Sequence, residues 1–352
     1  MRGKLKVYLG YAAGVGKTFR MLDEAQLLRQ KGVDVVIGYF EPHGRKETIA
    51  KTEDLEIIPR KKLTYAGAQF EEMDAEAILR RKPAVAVVDE FAHTNVPGSA
   101  RLKRWQDVEA LLDAGVDVLT TLNVQHLESL NDQVWDVTGI RVRETVPDWV
   151  VDAADEVIFV DLTPRALRNR LERGVVYAPD KAQKAMENFF IESNLTALRE
   201  MAMRHAAHEL EEKLEAPPEG QTAELETERI MICLTGRPSS AMLIRRARRV
   251  ADYLQAGCLA LHVARGLSID EVVERHMNFA RHLRIETHIV EGASIPIAEA
   301  IADFARKERV TQIFMGRSAP LPWWKRFQET TVQQVVRRAR DMQITIVAER
   351  RR

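Results

Sequence analysis

Cysteine is nearly missing from this chain: 352 residues contain two, Cys233 and Cys258. Both fall in apolar, strand-like runs, which points to reduced core thiols rather than a disulfide framework or a thiolate metal site. Long hydrophobic runs are absent as well. No stretch approaches the roughly 20 apolar residues needed to span a bilayer. The N-terminal MRGKLKVYLGYAAG meets glycines too early to read as a signal peptide, so a cytoplasmic location is expected. Net charge is also lacking, because Lys+Arg and Asp+Glu are both 52. The whole chain thus makes no electrostatic case for nucleic acid or an anionic membrane, and no nucleic acid is expected as a partner.

What is present is the composition of a globular protein, 45% apolar and 30% charged, at a length that suits two domains. The zero balance hides an asymmetry. Residues 228–352 carry 22 Lys+Arg against 13 Asp+Glu, and the remainder carry 30 against 39. Two solvated surfaces, a docking of one half on the other, or a basic half facing an anionic ligand would each account for it. The acidic EAPPEGQTAELETE, 215–228, reads as a linker. It separates a first domain, 1–214, from a second, 229–352. Leu195, Leu198, Met201 and Ala202 recur at helical spacing, so Phe189 to Leu214 is predicted as a long amphipathic helix closing the first domain.

Within 1–214, apolar runs at 5–9, 33–40, 83–88, 116–122 and 156–160 alternate with helical patterns. Near-continuous Val/Ile/Leu strands between helices predict a parallel sheet covered on both faces. After the linker the alternation restarts, with strands at 229–235, 259–264, 285–290, 312–315 and 343–348. Helices are predicted at 239–254, 269–282, 296–307 and 330–340. The second half is therefore expected to be a doubly wound α/β domain. Arg245, Arg246, Arg248 and Arg249 share a helix with Leu243, Ala247, Val250 and Leu254, and read as its solvated face.

The clearest motif is Gly14-Val15-Gly16-Lys17-Thr18, directly after the first strand and opening a helix. Glycines let backbone amides curl around phosphate, the helix N-terminus adds its dipole, and a lysine reaches the outer oxygens. Thr18 offers a hydroxyl to Mg²⁺. The usual spacing would put a glycine at Tyr11, whereas here it stands one earlier, at Gly10. Val85-Ala86-Val87-Val88-Asp89-Glu90 reads as the partner strand. Asp89 is placed to hold Mg²⁺ through water, and Glu90 is a candidate catalytic base for polarising an attacking water. These residues imply ATP and Mg as cofactors.

Ligands of open α/β sheets bind at the carboxyl ends of strands. There the sequence places Glu41, His43 and Arg45, then His93 and Asn95, then Asn123, Gln125 and His126. Glu41, His93 and Asn123 are the candidates for reaching nucleotide; a loop or capping role is the alternative for each. No histidine pair has ligand spacing on one helix, so no transition-metal site is expected.

At these residues the chain resembles the cytoplasmic N-terminal portion of the KdpD family, the sensor kinases of bacterial high-affinity potassium uptake. The matching segments are GVGKT (14–18), GYFEPHGRKET (38–48), VVDEFAHTNVPGSARLKRWQDVEALLDAGVDVLTTLNVQHLESLND (87–132) and TGIRVRETVPD (138–148). The resemblance covers 1–214, and the family shares the variant glycine spacing. It implies regulatory ATP binding, with Gly14, Gly16, Lys17 and Thr18 matching Walker A and Asp89 matching Walker B. It also implies a signalling partner or a membrane-embedded kinase portion, within a two-component potassium response.

The second half looks like the universal-stress-protein domain of the same family. Nucleotide-binding members carry glycines and a Ser/Thr pair after the fourth strand. Here Gly316-Arg317-Ser318 begins that pattern, but Ala319 stands where a second glycine is expected. Some family members bind cyclic di-AMP through a Ser-x-Ser and an aromatic-Thr-Ala segment. This chain has Arg237-Pro238-Ser239 and Cys258-Leu259-Ala260 instead. The membrane helices, phosphoacceptor histidine and kinase domain of the family have no counterpart in the sequence. His205 and His208 lack the acceptor pattern and read as surface residues. The chain is therefore expected not to phosphorylate a response regulator, with a slow ATPase and a cyclic di-AMP scaffold as alternatives. Trp323-Trp324-Lys325-Arg326-Phe327 reads as a partner or interdomain contact, or as loop packing.

Overall fold

The computed structural model describes residues 1–42, 45–173, 189–215, 228–266, 270–292, 295–317 and 329–348, with side chains only as far as 207 in the third stretch. His43, Ser318, Ala319, the run 323–327, the side chain of His208 and residues 216–227 of the linker lie outside the described residues. The chain divides into two compact units, Met1–Ala216 and Pro217–Arg352. Among the described residues no helix is long and apolar enough to cross a membrane.

The first unit opens with β1 (Leu5–Gly10), α1 (Lys17–Gln30), β2 (Val35–Tyr39) and α2 (Lys46–Ala50). Then come β3 (Glu56–Ile57), β4 (Lys61–Tyr65), β5 (Ala68–Glu72), α3 (Ala75–Arg81), β6 (Val85–Val88) and α4 (Arg104–Asp113). β7 (Asp117–Asn123), α5 (Asn131–Thr138), α6 (Asp148–Asp152), β8 (Glu156–Phe159), α7 (Pro164–Glu172) and α8 (Glu192–Glu215) complete it. Six strands form a parallel sheet in the order β3-β2-β6-β7-β1-β8. All four residues of β6, Val-Ala-Val-Val, are buried, as a strand covered on both faces requires. α1 buries Met21, Leu22 and Ala25. α8 turns Leu195, Leu198 and Ala202 into the core, the stripe its helical spacing predicts.

Register fixes the functional edge. Gly10 of β1 lies opposite Asn123 of β7, and Val88 of β6 opposite Thr120 of β7. β7 is thus a spacer between the strand that feeds the glycine-rich loop and the strand that ends in Asp89.

The sequence reading left out β3 and the antiparallel ribbon β4-β5. Tyr65 pairs with Ala68, and Ala66 and Gly67 between them take φ of 49° and 80°, the two left-handed residues of a type I′ hairpin turn. Nearly every ribbon residue is exposed or half-buried on both faces, the exception being Glu72 at its end. No period-two alternation marks such a ribbon in the sequence.

The second unit contains β9 (Arg229–Cys233), α9 (Ser239–Tyr253), β10 (Gly257–Ala264), α10 (Glu271–His282) and β11 (Glu286–Glu291). α11 (Ile297–Lys307), β12 (Gln312–Gly316), α12 (Thr331–Arg338) and β13 (Gln343–Val347) follow. All five strands are parallel, in the order β11-β10-β9-β12-β13. Alternation along β9 divides the core. Ile230 and Ile232 pack with Leu243, Ile244 and Ala247 of α9, whereas Met231 and Cys233 pack with Ile301 and Ala305 of α11 and Val335 of α12. Both cysteines are free thiols, and burial pushes each up to about 12. Of the α9 arginines, Arg246 is exposed, Arg248 pairs with Asp252 and Arg245 lies 5.1 Å from the Phe279 ring centroid.

One close approach packs β2 against α3. At Gly38 of β2 the register with β6 shifts, and an added Cβ would stand 2.5 Å from Cδ1 of Ile78. Gly38→Ala is expected to cost about 1–3 kcal/mol by overpacking. Adding Ile78→Val, which removes that methyl, should recover most of the loss. Thermal melting of the single and double variants checks this; equal melting temperatures for both would show that the Ile78 contact is not what excludes a side chain there.

Candidate functional site

The glycine-rich loop links β1 to α1. Gly14 and Gly16 take φ of 90° and 110°, and α1 starts without a side-chain cap and without an acidic residue in its first turn. Its first amides are therefore left for an anion. Gly10 answers the question raised by the shifted glycine. A Cβ there would stand 2.7 Å from Val15 Cγ2 and 2.9 Å from Lys17 Cδ, so glycine is needed where the lysine stem crosses the strand end. Tyr11, in the position usually held by glycine, is fully buried. Its hydroxyl donates to the Leu162 carbonyl at 2.8 Å, which fastens the loop to the connection between β8 and α7.

Lys17 is 8% exposed. Its ammonium donates to the Ala12 carbonyl at 3.2 Å and to Asn123 Oδ1 at 2.5 Å. Burial pulls it down to about 8, the Arg45 charge acts in the same direction, and Glu90 and Asp89 oppose both. Asp89 is buried, and its Oδ1 accepts from the Thr121 hydroxyl at 2.5 Å. The Thr18 hydroxyl lies 3.3 and 3.4 Å from the two Asp89 oxygens. Burial, then the neighbouring Glu90 carboxylate, pushes Asp89 above the usual carboxylate range. Thr121, Lys17 and the Glu41 backbone amide work against that rise.

Lys17, Thr18, Asp89 and Asn123 therefore converge on the ends of β1, β6 and β7. Among the described residues no three His, Cys, Asp or Glu side chains gather as a metal cluster. Two hard oxygen donors, Thr18 and Asp89, do fit Mg²⁺, which takes few protein ligands and fills its octahedron with phosphate oxygens and water.

The other sequence candidates occupy distinct places. Glu90 is exposed, takes a left-handed φ of 58°, and its amide donates to the Thr121 hydroxyl at 3.3 Å. Its charge acts on both Lys17 and Asp89. Glu41 offers its backbone amide to Asp89, while its carboxylate accepts from the Tyr39 hydroxyl at 3.0 Å and lies 3.5 Å from Arg60. His93 is engaged by two carboxylates. Its Nε2 lies 3.0 and 3.1 Å from the Glu72 oxygens and its Nδ1 3.7 Å from Glu144. Asn95 donates to Asp107 at 2.7 Å, a structural tie. His126 Nδ1 donates to the Glu144 carbonyl at 2.7 Å, and burial lowers its affinity for a proton. The Gln125 Oε1 is buried without a hydrogen-bond partner among the described residues.

Four residues escaped the sequence reading. Thr121 joins β7 to Asp89. Arg104 is fully buried and 3.6 Å from the Tyr39 ring centroid. It donates to the Asp89 carbonyl at 3.3 Å and to Glu72 at 3.2 Å. Glu72, at the end of the ribbon, also accepts from the Val96 amide at 2.9 Å. Burial opposes its ionisation, but hydrogen bonds from His93 and Val96 and the charges of His93 and Arg104 hold it below its usual range. The fourth is Arg170 of α7, whose Nη1 donates to the Gly14 carbonyl at 3.2 Å.

The second unit has its own recess, a cavity of about 540 Å³ at the carboxyl ends of β9, β10 and β12, lined among others by Arg237, Ser239, His262, Arg265, Arg317 and Thr330. It lies where strand order reverses about β9, the usual ligand crevice of a doubly wound sheet. None of its described lining residues is acidic.

Comparison with known proteins identifies the family. The family described as "KdpD: Osmosensitive K+ channel His kinase sensor domain" matches residues 1–210. A putative sensor protein KdpD of Synechocystis sp. is 43% identical over 350 residues, covering 99% of this chain and 94% of its own length. The sensor protein KdpD of Escherichia coli is 44% identical over 358 residues, 99% of this chain but 39% of the relative. That of Mycobacterium tuberculosis is 44% identical over 341 residues, again 39% of the relative. Among solved structures, a universal stress protein in complex with cAMP aligns at 17% identity, covering 35% of this chain and 97% of that one, with a TM-score of 0.30. One from Archaeoglobus fulgidus aligns at 17% identity, covering 34% and 92%, with a TM-score of 0.27. A family match spanning the whole first sheet, together with relatives above 40% identity over nearly the full sequence, means that this chain belongs to the KdpD family.

Proposed function

We propose that the first unit binds Mg·ATP as a regulatory sensor module, and that its nucleotide state is coupled to signalling by the second unit, a signalling protein or a membrane-embedded kinase portion. The observation that carries this reading is the meeting of an uncapped helix start, the Lys17 ammonium and the Thr18–Asp89 oxygen pair at one sheet edge. Backbone amides and Lys17 take the phosphates, and Thr18 with Asp89 takes the cation, which neutralises phosphate charge when bound. Asn123 and Thr121 of β7 hold Lys17 and Asp89 at a fixed separation. The module would serve a potassium-responsive two-component system, as the family's description suggests, on the cytoplasmic side.

The expected affinity is micromolar or somewhat tighter, about −8 to −9 kcal/mol. Lys17→Ala should lose on the order of a hundredfold, because a charge-assisted contact to phosphate disappears. A polyphosphate raises the affinity of Lys17 for its proton from about 8. Binding therefore takes up protons above pH 8, and affinity weakens as pH rises through that point. Calorimetry in buffers of different ionisation enthalpy measures both effects; Mg·ATP heat that is absent or independent of Lys17 would overturn the reading.

Slow hydrolysis is favoured by the position of Glu90 beside Asp89. Glu90→Gln should abolish phosphate release while keeping nucleotide affinity. Glu90→Gly should abolish it too and, by relieving the left-handed backbone, raise melting of the first unit by about 2–4 °C. Phosphate release unaffected by Glu90→Gln would overturn Glu90 as the base, and no release from the wild-type protein would leave binding alone as the function.

A second reading rests on the cavity of the second unit. Its arginines suit a phosphorylated nucleoside, with cyclic di-AMP as the probe to use. Lys17→Ala protein should still bind cyclic di-AMP and lose it on adding Arg237→Ala. No binding at millimolar cyclic di-AMP would dismiss this reading.

A further inference from the structure

The loop that takes phosphate in the reading above has a second cation at its mouth. Arg170 sits in the last turn of α7, exposed, with its Nη1 on the Gly14 carbonyl at 3.2 Å. The same nitrogen lies 3.7 Å from where a Cβ on Gly16 would stand, so the guanidinium lies beside both Gly14 and Gly16 of the loop. Its neighbour Arg168 is paired with Glu192 at 3.7 Å. Arg170 forms no ion pair among the described residues, and a single neutral carbonyl is a weak partner for a full positive charge.

The position of α7 is not incidental to the loop. Tyr11 donates to the Leu162 carbonyl, and the next residue, Thr163, caps α7 by accepting from the Ala166 amide. Pro164 occupies the first helical position. Leu167 and Leu171 are fully buried, which fixes the helix rotation and leaves Arg170 on the side of the loop. The loop is thereby joined to α7 at both ends, through Tyr11 at the helix start and through Gly14 at its last turn.

We propose that Arg170 is an arginine clamp acting within the same chain: it rests on the Gly14 carbonyl without nucleotide and moves to the terminal phosphate of ATP when nucleotide binds. A guanidinium–phosphate contact is charge-assisted and frequently bidentate, and is about twice as strong as one to a neutral acceptor, so the exchange runs toward phosphate. The assignment rests on the nucleotide reading of the first unit and adds to it a preference for the triphosphate.

The test is calorimetry of the full chain with Mg·ATP and Mg·ADP, for wild type, Lys17→Ala, Arg170→Ala and Arg170→Gln. Glutamine keeps a donor for the Gly14 carbonyl but carries no charge. Both Arg170 variants are expected to bind ATP about tenfold more weakly, with ADP affinity within twofold of wild type and melting unchanged. Wild-type ATP affinity in either variant would overturn the clamp, and so would equal losses for ATP and ADP, the mark of an arginine that merely props the loop. Wild-type protein with no Lys17-dependent binding would overturn the nucleotide reading itself, a result distinct from the other two.

Discussion

A lysine and a carboxylate, both buried and held apart by one strand, set the terms for the first unit. Lys17 and Asp89 come from β1 and β6, and β7 keeps them apart by offering Asn123 to one and Thr121 to the other. Bringing both into a poorly solvated edge carries a desolvation cost that their mutual attraction only partly returns. Burial lowers the proton affinity of the lysine and raises that of the carboxylate, so each resists its charged form. On the proposed reading, a polyanion and a divalent cation would satisfy the pair from opposite sides. The same desolvation cost would be offset by a charged guest.

The same edge is tied outward. Arg104 touches the Asp89 carbonyl, the Tyr39 ring and Glu72, and Glu72 in turn holds His93 and the Val96 amide. Removing one partner from such a buried ion pair typically costs about 3–5 kcal/mol, because the other charge is stranded. Glu72, the last residue of β5 and the buried one of the ribbon strands, therefore joins the exposed ribbon to the Asp89 end of β6. A two-stranded ribbon has little stability by itself, so its conformation depends on what Glu72 meets.

How much of this could be read from the residues follows the range of the interactions. Every parallel strand except the two-residue β3 was legible, because Val/Ile/Leu runs between helical patterns leave little choice, and the loop and Asp89 were legible because each is part of a short contiguous motif at the end of such a run. The ribbon was not, since residues exposed on both faces carry no alternation and Ala66-Gly67 is a weak turn signal beside Asn-Gly. His93 was placed correctly at a strand end, yet its ring contacts Glu72, whose position depended on that unread ribbon. Arg170 lies 156 residues from Gly14, and nothing local distinguishes it from the other arginines of α7.

Tyr11 has an effect on timing and flexibility that extends beyond its hydrogen bond. A phosphate loop that begins with glycine samples many shapes and must surrender that freedom whenever a guest arrives. Here the first turn is already moored by an aromatic ring sunk in the core, so little disorder remains to be lost at encounter. For a phosphate-bearing guest, exchange would then turn on how readily Lys17 trades its Ala12 and Asn123 partners for phosphate, and much less on waiting for the loop to find its shape.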